Sequence, residues 1–370
     1  MIKKVLLFLL FVCVGFIGYI GYRYLTRPAI SVVMSTYNRV AFLPRAIDSI
    51  LNQTFTDFEF IIINDGSPDE TDKVLSLFAA KDKRIRVITN EQNKGLIYSL
   101  NLGLDEARGK YIARMDDDDI SLPTRFEKQY AFMEQNPDFA VVGSWIGRPD
   151  DGKKWGFHDE TNPDKVKMYM YLNSVPISHP ASFLRRHFLN KHGIRYSYDY
   201  KAAEDRKFWL DILDAGGKIG NIPEILLLFR LHGTNPKEYY ADQWKNLNKF
   251  FNEEILTRFG TQEEFKDLDR CDIYKKIAQR NKTVKLISVA LLDEHITKEC
   301  PPEGAEQVKH LHWDDFFVFN DEKVCRFKVS TECAKILEKT QDTLTIKWDR
   351  WGAETFHKQG DMWVWDGIIK

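Results

Sequence analysis

Tyr111-Ile112-Ala113-Arg114-Met115-Asp116-Asp117-Asp118-Asp119 decides the reading of this chain. The first five residues read as a buried strand. Four carboxylates follow, before Ile120 and Pro123, where the strand opens into a loop. In an open parallel sheet, ligands bind beyond the carboxyl ends of the strands. Carboxylates this crowded repel one another unless a cation joins them. Alternate residues of an extended chain share a side, so Asp116 and Asp118 can face the same way. Hard oxygen ligands suit Mn2+ or Mg2+, and such ions bridge protein carboxylates to phosphate oxygens. A solvated acidic loop is the ordinary fate of a charge run, and the run alone does not separate the two readings. Its place after a buried strand favours the cation.

Outward from this stretch, strand-like and helix-like segments alternate from Ala29 to about Gly147. Ile30–Met34, Phe58–Ile63 and Ile85–Ile88 are apolar runs of strand length. Between them, Leu43, Ala46, Ile47, Ile50 and Leu51 recur at helical spacing. Glu70–Ala80, Leu96–Ala107 and Pro123–Gln135 read as further helices, and Ala140–Gly143 as another strand. The alternation predicts an α/β fold with a mainly parallel sheet covered by helices on both faces. Farther on, Lys165–Leu172 and Glu204–Asp214 have helical character, and Ile225–Arg230 reads as a strand. Trp244–Phe259 and Glu264–Gln279 look helical, and Val284–Leu292 fits helix or strand equally. From Val318 onward, short aromatic-rich runs point to β-structure.

The chain has 370 residues and a formal net charge of -1, so nothing in its overall charge draws it to nucleic acid. Lys3 and Lys4 precede an apolar run from Val5 to Tyr22, followed by Arg23 and Arg27. The run is long enough for a single-pass membrane anchor, with a cleaved signal peptide as the rival reading. No small-x-small cleavage site ends it, which favours the anchor. Basic residues at both ends leave its orientation open. The five cysteines do not form a zinc pattern or a dense disulfide framework, though a Cys325–Cys333 bridge remains open. The expected organisation is an anchor over 1–28, a catalytic domain over 29–240, a helical extension over 241–300 and a small β-rich region over 301–370.

The loop after the first strand carries neither G-x-G-x-x-G nor a Walker signature, which argues against a dehydrogenase or a P-loop enzyme. The strand ends instead carry Thr36, Asn38, Asp65, Asn90, Asn93 and the aspartates. Asp65 before Gly66-Ser67 suits a ribose or a base, and equally a helix-capping turn. Taken together, Ser31–Arg39, Ser49–Phe55, Phe60–Ser67, Asn93–Leu96 and Ala107–Asp119 resemble glycosyltransferase family 2 in order and spacing. The resemblance runs from about Ala29 to His232 and does not reach the C-terminal part.

That resemblance implies a GT-A, Rossmann-like nucleotide-sugar fold, a UDP-sugar donor and Mn2+ or Mg2+. Thr36, Tyr37, Asn38, Arg39, Asp65 and Asn93 match the nucleotide pocket, and Arg114, Asp116 and Arg230 the diphosphate end. Asp116, Asp118 and His232 are the implied metal ligands. Glu204-Asp205 match the family's later acidic pair, with Asp205 as general base and Glu204 beside it; an acid-rich helix start is the plain alternative. For His179, a structural histidine is at least as good a reading as a site residue. His310, His312, Asp314 and Asp315 lack matching context and read as surface. Trp348, Trp351, Trp363 and Trp365 read as core of a small β-region, with a sugar platform as the rival.

The expected activity is membrane-anchored, inverting transfer of a hexose or N-acetylhexosamine to a hydroxyl of a glycan or lipid-linked acceptor. In a bacterium the catalytic domain would lie in the cytoplasm, where donors are made. The rivals are a nucleotidyltransferase that makes sugar nucleotides and a non-catalytic nucleotide-sugar-binding protein. The first needs a glycine- and base-rich loop that Ser35–Arg39 lacks. The second is at odds with complete acidic motifs.

Overall fold

Seven consecutive buried residues, Phe58–Asn64, form the strand around which the N-terminal part is laid out. A strand buried on both faces requires a layer of helices on each side. The computed structural model describes residues 27–155, 160–172, 174–230, 246–265, 268 and 270–299, and the backbone of seven strands between 306 and 369. The chain divides into two compact units, Met1–Arg258 and Phe259–Lys370.

In the first unit, β1 (Ile30–Thr36), β2 (Phe58–Asn64), β3 (Ile85–Thr89) and β4 (Tyr111–Asp116) are parallel, in the order β3-β2-β1-β4. Helices α1 (Leu43–Leu51), α2 (Thr71–Lys81) and α3 (Leu96–Glu106) connect them. There follow β5 (Ile120–Ser121), α4 (Arg125–Gln135), β6 (Phe139–Gly147), β7 (Lys154–Trp155) and α5 (Pro163–Tyr171). Then come β8 (Phe183–Arg185), α6 (Arg186–His192), α7 (Glu204–Asp214) and β9 (Lys218–Leu228). Past β4 the sheet continues β8-β6-β9-β5, with β7 on the edge of β6. β8 runs antiparallel to β4 and β6, β9 parallel to β6, and β5 antiparallel to β9. The sheet is thus mixed but mainly parallel. Its antiparallel members β5, β7 and β8 are two or three residues long, too short to leave a readable period in the sequence.

Alternation along the strands sends side chains into two cores. Val32, Met34, Phe60, Ile62, Ala113 and Met115 pack with Ala46, Ile47 and Ile50 of α1 and Phe126 and Met133 of α4. Val33, Ile61, Ile63 and Ile112 pack on the other face with Leu100 and Leu104 of α3 and Phe208, Trp209 and Ile212 of α7. One polar pin crosses the strands at their start. Buried Glu59 accepts from the Ser31 hydroxyl (2.6 Å), the Arg108 amide (2.9 Å) and Arg108 Nε (2.9 Å). The pin fixes where β4 begins, and so where it ends. Register then puts Ser35 beside Asp116 and Thr36 beside Asn64, which brings the ends of β1, β2 and β4 to one edge.

Residues 246–258 belong with the first unit, as a helix, a π-helical turn (Phe251–Ile255) and a 3-10 turn (Leu256–Arg258). Tyr200 donates to Glu254 (2.8 Å), and Arg258 grips Asp214 with two hydrogen bonds.

The second unit contains α8 (Arg270–Val284) and α9 (Val289–Glu299). The ambiguous Val284–Leu292 run is therefore a helix end, a turn and a helix start. Buried Asn281 holds the turn through Ile287, accepting from its N–H (3.0 Å) and donating to its carbonyl (2.8 Å). Seven strands form an antiparallel meander: β10 (Glu306–Lys309), β11 (Asp315–Asn320), β12 (Lys323–Arg326), β13 (Cys333–Lys339), β14 (Thr343–Trp348), β15 (Gly352–Gln359) and β16 (Met362–Ile369). Register sets Cys325 opposite Cys333. The anchor expected in 1–28 falls almost wholly outside the described residues, as do His232, His310, His312, Asp314 and Trp351. Among the described residues, no helix is long and apolar enough to cross a membrane.

Candidate active site

β4 ends at Asp116, and the chain turns there through Asp117–Asp119 into β5. Asp116, Asp118 and Asp119 each place a carboxylate oxygen so that all three lie within 4.8 Å of one another. The strand-end reading brings Asp116 and Asp118 together. It gave no part to Asp119, which is fully buried and completes the group. Asp119 Oδ1 accepts from the Arg230 amide (2.9 Å), and Arg230 Nε donates to the Asp118 carbonyl (3.1 Å). Arg230 at the end of β9 thus clasps the aspartate loop.

The carboxylates at this edge repel one another and are partly held by nearby arginines. Burial pushes the Asp116 carboxyl up; Arg114 opposes this and Asp118 adds to it. Asp119 is raised well above the ordinary range by burial and by Asp116. Asp117 is pushed up to about 7 by burial, with the Thr36 hydroxyl pulling the other way and Asp116 and Asp118 adding to the rise. Arg39 lowers both Asp116 and Asp117, which places it at the cluster. Buried Arg114 reaches Asp116 across 2.5 Å. Among the described residues at this edge, Arg114 Nε and Asp119 Oδ2 are buried without a hydrogen bond. Three converging carboxylates, one with a buried oxygen that no donor satisfies, suit a hard divalent cation. A buried arginine donor left over at the same edge suits an anionic oxygen.

The loop is held from behind by groups that sequence reading passed over. Gln53 Nε2 donates to the Leu122 carbonyl (2.8 Å), and its Oε1 accepts from the Phe126 amide (3.1 Å). Fully buried Arg125 donates from Nη2 to the Arg114 carbonyl (2.7 Å) and from Nε to Gln129 (3.0 Å). Burial lowers the Arg125 pKa to about 9, against the pull of Asp119. A lone polar residue in a helical pattern gives no signal that it will be buried.

The second loop is built on Asp65. Its Oδ1 accepts from Asn90 Nδ2 (2.6 Å) and the Lys94 amide (3.0 Å), and its Oδ2 from the Gly95 amide (2.8 Å). Asn93 Oδ1 also accepts from Gly95 (3.0 Å). Asp65 therefore ties the end of β2 to the start of α3. Asn38 adopts φ 55 and donates from its amide to Ser67 Oγ (3.1 Å), while the Tyr37 side chain stands exposed.

Glu204 and Asp205 open α7 without a side-chain cap, just after Ala202 at φ 64. Left-handed backbone at alanine is strained, and such strain gathers at functional sites. Glu204 is pushed up to about 7 by burial and by its neighbour Asp205, with Arg114 among the groups that hold it down. Asp205 Oδ1 accepts from the Arg206 amide (2.8 Å). The pair is linked to the aspartate edge through Tyr196, whose raised pKa owes most to burial and responds to Arg114, Asp205, Glu204 and Asp116. His179 is a partnered, half-buried histidine. Its Nε2 lies 2.7 Å from the Tyr196 hydroxyl, and burial with the nearby charge of Arg114 pushes its pKa well below the ordinary value.

The profile for "Glycosyl transferase family 2" matches residues 31–193, from β1 through α6. An uncharacterized glycosyltransferase of Haemophilus influenzae is 34% identical over 248 residues, covering 63% of this chain and 74% of its own. The O-antigen biosynthesis glycosyltransferase WbnJ of Escherichia coli is 33% identical over 244 residues, covering 62% of this chain and 92% of its own. Among solved structures, a mannosyltransferase of Pyrobaculum calidifontis, in complex with GDP-Man and Mn2+, superposes with a TM-score of 0.52. That likeness covers 73% of this chain and 79% of that one, and at 16% identity it speaks for the fold.

Proposed function

This chain belongs to glycosyltransferase family 2, and from that premise we propose that it is a divalent-cation-dependent, inverting enzyme of surface-polysaccharide assembly. The donor is a UDP-sugar carrying a hexose or N-acetylhexosamine, and the acceptor a hydroxyl of a glycan or a lipid-linked glycan. The observation that carries the reading is the convergence of Asp116, Asp118 and Asp119 beside the unsatisfied donor of Arg114. Those three carboxylates would hold Mn2+ or Mg2+, which supplies charge neutralisation to the departing nucleoside diphosphate. His232 remains a further candidate ligand. Arg114 and Arg230 meet diphosphate oxygens. Thr36–Arg39, Asp65 and Asn93 frame the nucleoside.

Asp205 removes the proton from the acceptor hydroxyl as its oxygen attacks the anomeric carbon. The bond from that carbon to the diphosphate breaks, and one displacement inverts the configuration. Glu204 lies next to the base with a pKa of about 7, close to the value general acid–base groups need. The apolar run Val5–Tyr22 anchors the enzyme beside a membrane-borne acceptor, and in a bacterial cell the catalytic unit faces the cytoplasm.

Nucleotide release tests this. A panel of UDP- and GDP-sugars is assayed with the full chain, with and without Mn2+. Release that needs both a UDP-sugar and Mn2+ supports the reading. Equal release by wild type and Asp118→Ala overturns the cation assignment. Donor binding without any turnover would favour a non-catalytic binding protein.

A further inference from the structure

Tyr196 feels both acidic groups of the site, Glu204 and Asp205 on one hand and Asp116 on the other, and is joined to His179. His179 Nε2 and the Tyr196 hydroxyl are 2.7 Å apart. The Tyr196 backbone is clasped by Asn101 of α3, whose Oδ1 accepts from the Tyr196 N–H (2.8 Å) and whose Nδ2 donates to its carbonyl (2.9 Å). Its ring stacks on Phe208, with centroids 4.2 Å apart and planes 11° from parallel. The His179 ring meets Trp209 edge-on at 5.8 Å. Phe208 and Trp209 follow Glu204 and Asp205 by four residues, so each lies one turn along α7 on the same face as its acid. The dyad therefore braces the very faces that carry the acidic pair. The charge of Arg114, the partner of Asp116, acts on both members of the dyad.

We infer that Tyr196, braced by His179, is a positioning residue of the transfer step that sets the start of α7 against the β4 aspartate loop. The inference rests on the functional reading above. Tyr196 is buried and His179 half-buried, and in that reading the donor nucleotide is framed by other residues. Their loss should therefore misalign the base relative to the anomeric carbon and leave donor binding intact. Misplacement of a catalytic group lowers kcat far more than affinity.

The test uses the full chain, Mn2+, and whichever sugar nucleotide of the panel the wild type turns over fastest, with water as acceptor. Tyr196→Phe keeps the stack on Phe208 and removes one hydroxyl. Its kcat should fall about tenfold, the scale of one buried hydrogen bond, with donor KM and Tm close to wild type. His179→Phe should fall similarly, and His179→Gln should recover much of the loss. The double variant Tyr196→Phe/His179→Phe should be no slower than the worse single one, because the two act as a unit. Wild-type kcat in Tyr196→Phe overturns the inference, as does a loss that is additive and follows a fall in Tm. A wild type inactive on every donor overturns the functional reading instead.

Discussion

Arg114 and Asp116 lie two residues apart on β4 and meet across 2.5 Å, Nη1 to Oδ2. An i, i+2 pair on a strand shares a face, so the aspartate edge has a countercharge built into the same strand. The Arg114 side chain is 5% exposed and that of Asp116 30%, so water screens the pair in part. Burial raises the Asp116 carboxyl, and Arg114 is the largest influence against it. Arg114→Met should therefore raise Asp116 further, shift Mn2+ dependence to higher pH and higher ion concentration, and cost about 1–3 kcal/mol of stability for a broken, partly screened pair. Mn2+ titrations of activity at two pH values, with thermal unfolding, check this. An unchanged Mn2+ requirement would contradict it.

Asp119 should matter to the cation as much as Asp118. Its Oδ1 is taken by the Arg230 amide, and its Oδ2 is buried without a partner. Asp119→Asn keeps the shape and removes the charge. Its Mn2+-dependent release should fall by about 10²-fold or more, the scale of losing a preorganised electrostatic group. Release at saturating Mn2+ is the measurement, and a wild-type rate would remove Asp119 from the ligand set.

The acidic pair sets the pH response. Glu204 is raised to about 7, first by burial and then by Asp205. Below that value it is protonated and the pair carries less negative charge. Activity should rise with pH through an acidic limb near 7. In Glu204→Gln that limb should disappear, since the group that titrates there is gone. A kcat–pH profile of both proteins decides the matter; an identical limb would assign it to another group, with Asp117 the first candidate at about 7.

The parallel half of the sheet was legible because Val32–Met34 and Phe60–Ile63 are apolar without interruption, which is what burial on both faces demands. The acidic loop was legible because four carboxylates directly follow such a strand. β8 was not, since three residues carry no period. Arg125, Gln53 and Tyr196 were not, because each has a partner far along the chain: Arg125 also donates to the Ser182 carbonyl, Gln53 meets Leu122, and Tyr196 meets Asn101. Spacing reveals local contacts, and these side chains act at long range. Asp119 was visible in the run, but strand alternation favoured Asp116 and Asp118. The turn after Asp116 ends that alternation and lets the fourth acid fold back.

Glu59 should make stability depend on acid. Burial works to raise its carboxyl, but hydrogen bonds from Arg108 and Ser31 outweigh this and bring it below 4.5. A carboxyl lowered in the folded state adds stability above its unfolded pKa and loses it as pH falls through the folded value. Unfolding free energy should therefore drop below about pH 4.5, and Glu59→Gln should flatten the drop. At neutral pH the substitution should cost about 1–3 kcal/mol, toward the lower end because Arg108 is 59% exposed. Denaturant unfolding from pH 2 to 7 tests this, and parallel curves for the two proteins would refute it.

Gly66 follows Asp65 in the loop after β2 and has no room for a side chain. It sits at φ +70, and a Cβ there would lie 2.6 Å from the Gln92 carbonyl carbon and 2.8 Å from the Asn93 nitrogen. Backbone cannot swing aside as a side-chain tip can. Gly66→Ala should push Asp65 away from the Lys94 and Gly95 amides, loosen the join between β2 and α3, and raise donor KM. Gly193 offers the control: it has φ +64 but nothing within 4 Å of its Cβ position. Gly193→Ala should show only the left-handed backbone cost, about 1–2 kcal/mol, with donor KM unchanged. Thermal unfolding and donor KM of both variants separate the effects. Equal KM in the two would mean that the contact of Gly66 with Gln92 and Asn93 does not shape the donor pocket.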